Sequence, residues 1–476
     1  MPKTIEYVAV LDIGKTNVKL HVLNADLNSV GVESIPNTVL LEDPYPQYSV
    51  DKIWDWLVRM LREFAANFSI GAINVSAHGA TAAIVNANVS NGRDGLVLPI
   101  LDYEFDGPDR LRSDYDQVRP GFESTYSPVL PFGLNLGAQL FWQSRMYPEA
   151  FAQASHILAY PQYWVWRMTG ALCSEVTSLG CHTDLWCPGE GQWSSLATKF
   201  GWSDLFPSLV SAWGAVANVH PRFAEQTGLD PSCRIFPGLH DSNASFARYL
   251  GRAEAAPFAV VSTGTWAIAM ASGASLQTLD SRRDMLANVD AMGRPIACAR
   301  SMGGREYDKI CETLGATTEA YVDAAEISEI VNKGAMALPD FSGGSGPFGG
   351  AEGAIVNAYE GMNGTALATL YAALMVDLKL NLLEAQGDVF IEGAFANNQT
   401  LCALVAQLRP DQRVFVSGDK TGTVVGCAQL AFGTSVDPVD RSIKVSAAGV
   451  SGLRQYKDLW RKNLPSVLAL SGKAQG

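Results

Sequence analysis

The chain has 476 residues, 47% of them hydrophobic and 17% charged, with a formal net charge of −13. That length exceeds one ordinary domain and predicts two, each of roughly 230 to 250 residues. The acidic balance argues against a nucleic-acid or anionic-membrane surface, but not against a nucleotide held by local N–H groups and a cation. The eight cysteines are scattered without a CxxC, and Cys181, His182 and Cys187 match no zinc spacing. Reduced thiols and an N-terminus without a signal-peptide pattern make a cytoplasmic protein the expectation.

The first predicted element is a β-hairpin over 8–20, VAVLDIGKTNVKL. An apolar run, a turn at Gly14 beside Thr16, and a second run at strand spacing (Val18, Leu20, Val22) predict it. Gly14-Lys15-Thr16 also resembles the end of a P-loop. Ala9 stands where that pattern needs glycine, however, and a strand follows instead of a helix. A second copy lies at 258–270, FAVVSTGTWAIAM, with Thr263 and Thr265 flanking Gly264. Two turns that expose N–H groups and Thr hydroxyls predict phosphate nests in two similar domains. Asp12 of the first copy has Ser262 as its counterpart. A carboxylate beside a phosphate nest requires a cation between them, which points to Mg²⁺ at Asp12.

A helix is predicted over 50–68 from Ile53, Trp54, Leu57, Met60, Leu61 and Phe64. The strand 70–75 then leads into Ser76-Ala77-His78-Gly79. Ligands of α/β sheets sit at the carboxyl ends of strands, so His78 and Gly79 are candidate sugar contacts; a structural histidine fits equally. The strand 96–101 ends in Asp102-Tyr103-Glu104-Phe105-Asp106. Such a cluster suits a sugar or a solvated turn. Helices follow over 133–145 and 148–168. At 235–245 a short strand and a turn at Gly238 place Asp241 at the start of a helix to 250. Asp241 is an N-cap or a general base, and its place just ahead of the second hairpin favours the base.

The second half begins near Pro257. Helices are predicted over 306–314 and 318–332, then a Gly-rich stretch over 338–353, read as a plain connection or a mobile loop. A long helix over 365–384 and a strand over 389–391 precede the turn Glu392–Asn398 and a helix over 401–408. Small residues in that turn suit an adenine ring. Residues 255–274 form the most membrane-like window but are interrupted by Ser262, Thr263, Gly264, Thr265 and Ser272, so a buried hairpin is expected. Residues 474–476 are expected to be disordered.

Together these residues resemble the FGGY carbohydrate kinases of the actin/hexokinase/Hsp70 ATPase superfamily. The hairpin with Asp12, the turn with His78 and Gly79, the stretch 159–170, the Gly238–Ala244 segment, the second hairpin and the turn after 391 follow in the family's order. The resemblance implies an α/β fold of two RNase H-like domains, 1–250 and 251–476, about a central cleft. It implies transfer of the γ-phosphate of ATP, with Mg²⁺, to a small sugar. The catalytic base is Asp241 and the metal-associated residue Asp12. The nucleotide contacts are Asp12, Gly14, Lys15, Thr16, Thr263, Gly264, Thr265, Gly304, Gly393 and Asn397. The sugar contacts are His78, Gly79, Tyr103, Glu104, His240 and Asp241. His240-Asp241 followed by Ser262-Thr263-Gly264-Thr265-Trp266 looks nearest to L-fuculose and L-rhamnulose kinases. A pentulose or polyol kinase and a nucleotide-gated binding protein are the alternatives. No nucleic-acid or membrane partner is expected, and a homodimer is left open. The chain departs from the family pattern at Lys15, at Asp102-Tyr103-Glu104 and at the single Gly393.

Overall fold

The computed structural model describes residues 5–88, 94–250, 257–319, 321–417, 422–433 and 442–465. It resolves into two compact units. The first comprises Met1–Arg252, Ala287–Pro295 and Thr421–Val436; the second comprises Ala253–Leu286, Ile296–Lys420 and Asp437–Gly476. The expected division at 250/251 is therefore crossed by two return segments. The helix Gly422–Phe432 belongs to the first unit, where Gly426 lets it pack directly on the backbone of Ala244. Residues 474–476 lie outside the described residues.

The first unit is built on a mixed sheet. Tyr7–Ile13 pairs antiparallel with Asn17–Asn24, which pairs antiparallel with Ser29–Pro36. On its other edge Tyr7–Ile13 runs parallel to Ile70–Ala77, which runs parallel to Arg234–Ile235 and to Leu239–His240. Ala217–Asn218 closes the sheet antiparallel to Arg234–Ile235. The second unit repeats this plan. Phe258–Thr263 pairs antiparallel with Ala267–Ser272, and that strand pairs antiparallel with Pro295–Ser301. Parallel to Phe258–Thr263 lies Asp388–Gly393, then parallel Val414–Ser417, then antiparallel Ser442–Lys444. The hairpins recognised in the sequence are thus the central strands of two sheets of like order and direction.

Central strands are buried on both faces and carry long apolar runs, which is why they were legible. Val8, Ala9, Val10 and Leu11 are all inaccessible to solvent. The helix Val50–Ala65 packs on the first sheet through Ile53, Trp56, Leu57, Met60 and Leu61. Trp54 lies against Phe223, with ring centroids 4.9 Å apart, and serves packing. The helix Gly364–Leu382 is long and apolar enough to cross a membrane, but 89% of its apolar window is buried. The window at 255–274 contains the two strands of the second hairpin. All eight cysteines are free and buried.

Two expected helices differ. The predicted helix over 148–168 is broken into Pro148–Phe151, the strand His156–Ala159 and Tyr160–Thr169. Its apolar residues suit either state, and pairing with Ala82–Val85 decides for a strand. The helix expected over 318–332 begins at Ala324, because Asp323 and Glu326 form a capping box there. The Gly-rich stretch is tied down locally. Asp340 accepts from the N–H groups of Ser342 and Gly344, and Asp284 accepts from that of Gly346 at 3.0 Å.

Candidate functional site

Three neighbouring parallel strands, Tyr7–Ile13, Ile70–Ala77 and Leu239–His240, end at the same edge of the first sheet. Register sets Asp12 beside Ser76 and His240 beside Ala77. The N–H of His78 donates to the carbonyl of Ile13 at 2.9 Å. Asp12, His78, Gly79, His240 and Asp241 therefore come together although they are far apart in the chain.

Asp241 opens the helix Asp241–Ala247. Its Oδ1 accepts from the N–H of Ser242 at 2.6 Å and lies 3.3 Å from Nε2 of His240. Its side chain remains 34% exposed, so it is open to a ligand. His240 is held from behind. Its Nδ1 lies 2.6 Å from Oδ1 of Asn243, whose amide donates to Asn288 Oδ1 at 3.0 Å and to the carbonyl of Val289. Because the Asn243 amide nitrogen is spent on those acceptors, its oxygen faces His240 and Nδ1 is the donor. Burial opposes a charge on His240, but Cys181 and then Asp241 outweigh it and raise its pKa.

His78 is buried and ringed by Tyr48, Tyr103 and Tyr160, with centroids 5.1, 5.3 and 5.1 Å away. Its Nδ1 lies 3.2 Å from both the carbonyl of Gly79 and the hydroxyl of Thr81, and its Nε2 has no partner among the described residues. Burial pushes its pKa down to about 4, so it stays neutral near pH 7. Nδ1 is thus engaged by protein groups, and Nε2 is the ring nitrogen left to meet a ligand hydroxyl.

Asp12 has its pKa raised to about 6, first by burial and then by the like charge of Asp241, with Lys19 opposing. A hard carboxylate that is costly to ionise beside a second carboxylate fits a divalent cation. Among the described residues no group of three or more His, Cys, Asp or Glu could hold a metal ion alone. Mg²⁺ characteristically uses one or two carboxylates with water and substrate phosphates, so Asp12 suffices.

The expected nucleotide residues separate on inspection. The glycine N–H groups close their own turns, Gly14 on the carbonyl of Asn17 at 2.9 Å and Gly264 on that of Trp266 at 2.8 Å. Thr16 and Thr265 are exposed. Thr263 is buried instead, and its hydroxyl donates to the carbonyl of Glu392 at 2.5 Å and accepts from Phe395 N–H at 2.9 Å. It ties the hairpin to the Glu392–Asn398 turn, so the expected phosphate contact is corrected to a structural one. Gly393, with φ +80°, packs against the backbone of Thr263, where no side chain fits. Its role is likewise to let two strands close up. Gly264, Thr265, Gly304, Phe395 and Asn397 line a cavity of about 1070 Å³ in the second unit. The helix Gly303–Thr313 starts beside it, with Gly304 donating to the carbonyl of Thr265 at 3.2 Å. A helix N-terminus at a cavity favours an anion.

Lys15 also departs from expectation. Its ammonium pairs with Asp102 and, at 3.1 Å, with Glu104. It lies 4.7 Å from the ring centroid of Tyr103 and 5.5 Å from that of Tyr48. The ammonium expected at a phosphate is thus engaged by the aromatic and acidic cluster. Within that cluster Asp102 is buried, whereas the side chain of Glu104 is 60% exposed.

Residues 124–247 match the N-terminal domain of the FGGY family of carbohydrate kinases, and residues 255–439 match the FGGY C-terminal domain. A solved structure of a carbohydrate kinase from Novosphingobium aromaticivorans is 34% identical, with a TM-score of 0.87, covering 96% of this chain and 100% of that one. The chain belongs to the FGGY family of carbohydrate kinases. An L-fuculokinase of Salmonella typhi is 24% identical over 287 residues, 57% of this chain; the chain spans 58% of that relative's length. A ligand-bound xylulose kinase of Lactobacillus acidophilus shares the fold, at 14% identity and a TM-score of 0.75 over 96% of each chain. The FGGY matches and these structures agree with a two-domain actin-like ATPase architecture.

Further residues take part in this cluster. Tyr48 and Tyr160 flank His78, Asp102 meets Lys15, and buried Glu175 reaches His240 through Thr177. Glu175 accepts from Thr177 N–H at 2.9 Å and from the Thr177 hydroxyl, which in turn accepts from His240 N–H at 3.1 Å. Burial pushes Glu175 up to about 8. Gly79 was expected to admit substrate, but its space is taken by His240. A Cβ there would lie 2.6 Å from Nε2 of His240. Because Asn243 locks that ring, Gly79→Ala is expected to lower stability by roughly 1–3 kcal/mol and to raise the KM for the acceptor. Thermal unfolding and acceptor kinetics check both.

Proposed function

We propose that the protein is a cytoplasmic, ATP- and Mg²⁺-dependent kinase of a small sugar, with a ketose such as L-fuculose or L-rhamnulose the first candidate. The observation that carries this reading is the partly exposed carboxylate of Asp241 beside Asp12 and His78 at one sheet edge. Asp241 accepts or orients the proton of the attacking hydroxyl. Neutral His78 meets a second hydroxyl through Nε2, and the tyrosine rings face the sugar's C–H surface. Within the second unit, Thr265 and the start of the helix Gly303–Thr313 hold phosphates, and Gly304, Phe395 and Asn397 hold the adenosine side. Bound at Asp12, Mg²⁺ would neutralise phosphate charge. The L-fuculokinase likeness supports the ketose, and the eight free thiols support a reducing compartment.

A coupled ADP-release assay with Mg-ATP against ketoses, pentuloses, aldoses and polyols tests this reading. Turnover on one ketose is the expected result. Absence of turnover across the panel, with Mg-ATP still bound by calorimetry, would overturn it in favour of a nucleotide-gated binding protein.

A further inference from the structure

We propose that Lys15 is an acceptor ligand and not a phosphate ligand, and that with Asp102 and Glu104 it biases the site towards uncharged polyhydroxy compounds. The inference rests on the sugar-kinase reading above and deepens it. Lys15 lies on the hairpin turn, where a side chain could serve either the phosphates or the acceptor. Its position decides between them. Its ammonium is paired with Asp102 and Glu104, stands over Tyr103 and lies 3.5 Å from the hydroxyl of Tyr48. Tyr48 and Tyr103 both pack against His78, whose buried Nε2 lacks a partner among the described residues. The Tyr48 hydroxyl lies 3.1 Å from Oδ1 of Asp102, so one network joins the lysine to the acceptor ring.

The chemistry of this network selects its ligand. An ammonium donates and two carboxylates accept, which matches neighbouring hydroxyls that each both donate and accept. The charges do not match an acid. Lys15 is outnumbered by Asp102 and Glu104, and Asp241 and Asp12 lie at the same edge. Next to this cluster a carboxylate or phosphate on the acceptor would meet two carboxylates and an ammonium already paired with both. The cluster therefore favours neutral ketoses or polyols over aldonates and sugar phosphates.

Steady-state kinetics of Lys15→Met, with both substrates varied, test the assignment. The expected result is an acceptor KM raised roughly 10- to 100-fold with the KM for ATP within about twofold of wild type. A deoxy analogue lacking the contacted hydroxyl should be turned over equally by wild type and variant. Asp102→Asn should shift the acceptor KM in the same direction, and it keeps the test open if Lys15→Met fails to fold. A raised KM for ATP with an unchanged acceptor KM would overturn the proposal and return Lys15 to the phosphates. Preferred turnover of an aldonate by wild type would overturn the charge argument while leaving the kinase reading intact. A wild-type protein inactive on every acceptor would remove both readings together.

Discussion

Asp241→Asn is expected to keep the fold and Mg-ATP binding while lowering sugar phosphorylation by roughly 10²- to 10⁴-fold. Asparagine retains the Oδ1 that accepts from Ser242 N–H at 2.6 Å, so the start of the helix Asp241–Ala247 is preserved. What is lost is the basic carboxylate. The neighbouring His240 also loses one of the charges that raise its pKa and becomes easier to discharge. Asp241→Ala removes the hydrogen bond to Ser242 as well, so it is expected to add a stability loss of about 1 kcal/mol. His240, not Asp241, is the N-cap of this helix, so comparing the two variants separates the chemistry from that hydrogen bond. Turnover of Asp241→Asn near the wild-type rate would remove Asp241 from the reaction.

Asp12→Asn is expected to stabilise the metal-free protein while abolishing its response to Mg²⁺. The folded-state pKa of Asp12 is raised from 3.8 to about 6, by burial first and by Asp241 second. The folded protein therefore holds this proton more tightly than the unfolded chain. Stability contributed by the protonated group is fully present below 3.8 and is lost as pH rises through about 6. Above that pH an ionised Asp12 costs on the order of 1–3 kcal/mol, and asparagine removes the cost. The variant should unfold at a higher temperature than wild type near pH 7.5, with the difference vanishing near pH 4. Mg²⁺ should raise the unfolding temperature of wild type alone, and its affinity should weaken as pH falls through about 6, because the proton and the metal compete for the carboxylate. Equal Mg²⁺ responses in the two proteins would exclude Asp12 as the metal-associated residue.

The two predictions share a physical origin. Two carboxylates at the end of one sheet repel each other, which is one cause of the raised pKa of Asp12. Neutralising either relieves that repulsion and is expected to take away part of the chemistry.

Much of this arrangement was legible in the chain because its signals are local. The apolar runs of 8–13 and 258–263, each broken at a glycine, specify central strands and tight turns whatever surrounds them. Asp12 and Asp241 stood out because a carboxylate at the end of a buried strand or the start of a helix occupies a position of chemical consequence. His78 was marked by the strand that precedes it. The partners of side chains were not legible. Lys15 meets a carboxylate 87 positions away, and the hydroxyl of Thr263 is spent on a carbonyl 129 positions away. Gly79 and Gly393 were read as openings for ligands, but one accommodates the ring of His240 and the other the backbone of Thr263. The strand His156–Ala159 was read as helix because its residues suit both states until Ala82–Val85 pairs with it. Local pattern thus determined the two hairpins, the repeated sheet and the places of Asp12 and Asp241. Tertiary packing alone decided which donors and acceptors were already satisfied, and so which were left for a ligand, because a hydrogen bond is set by distance in space and not by separation along the chain.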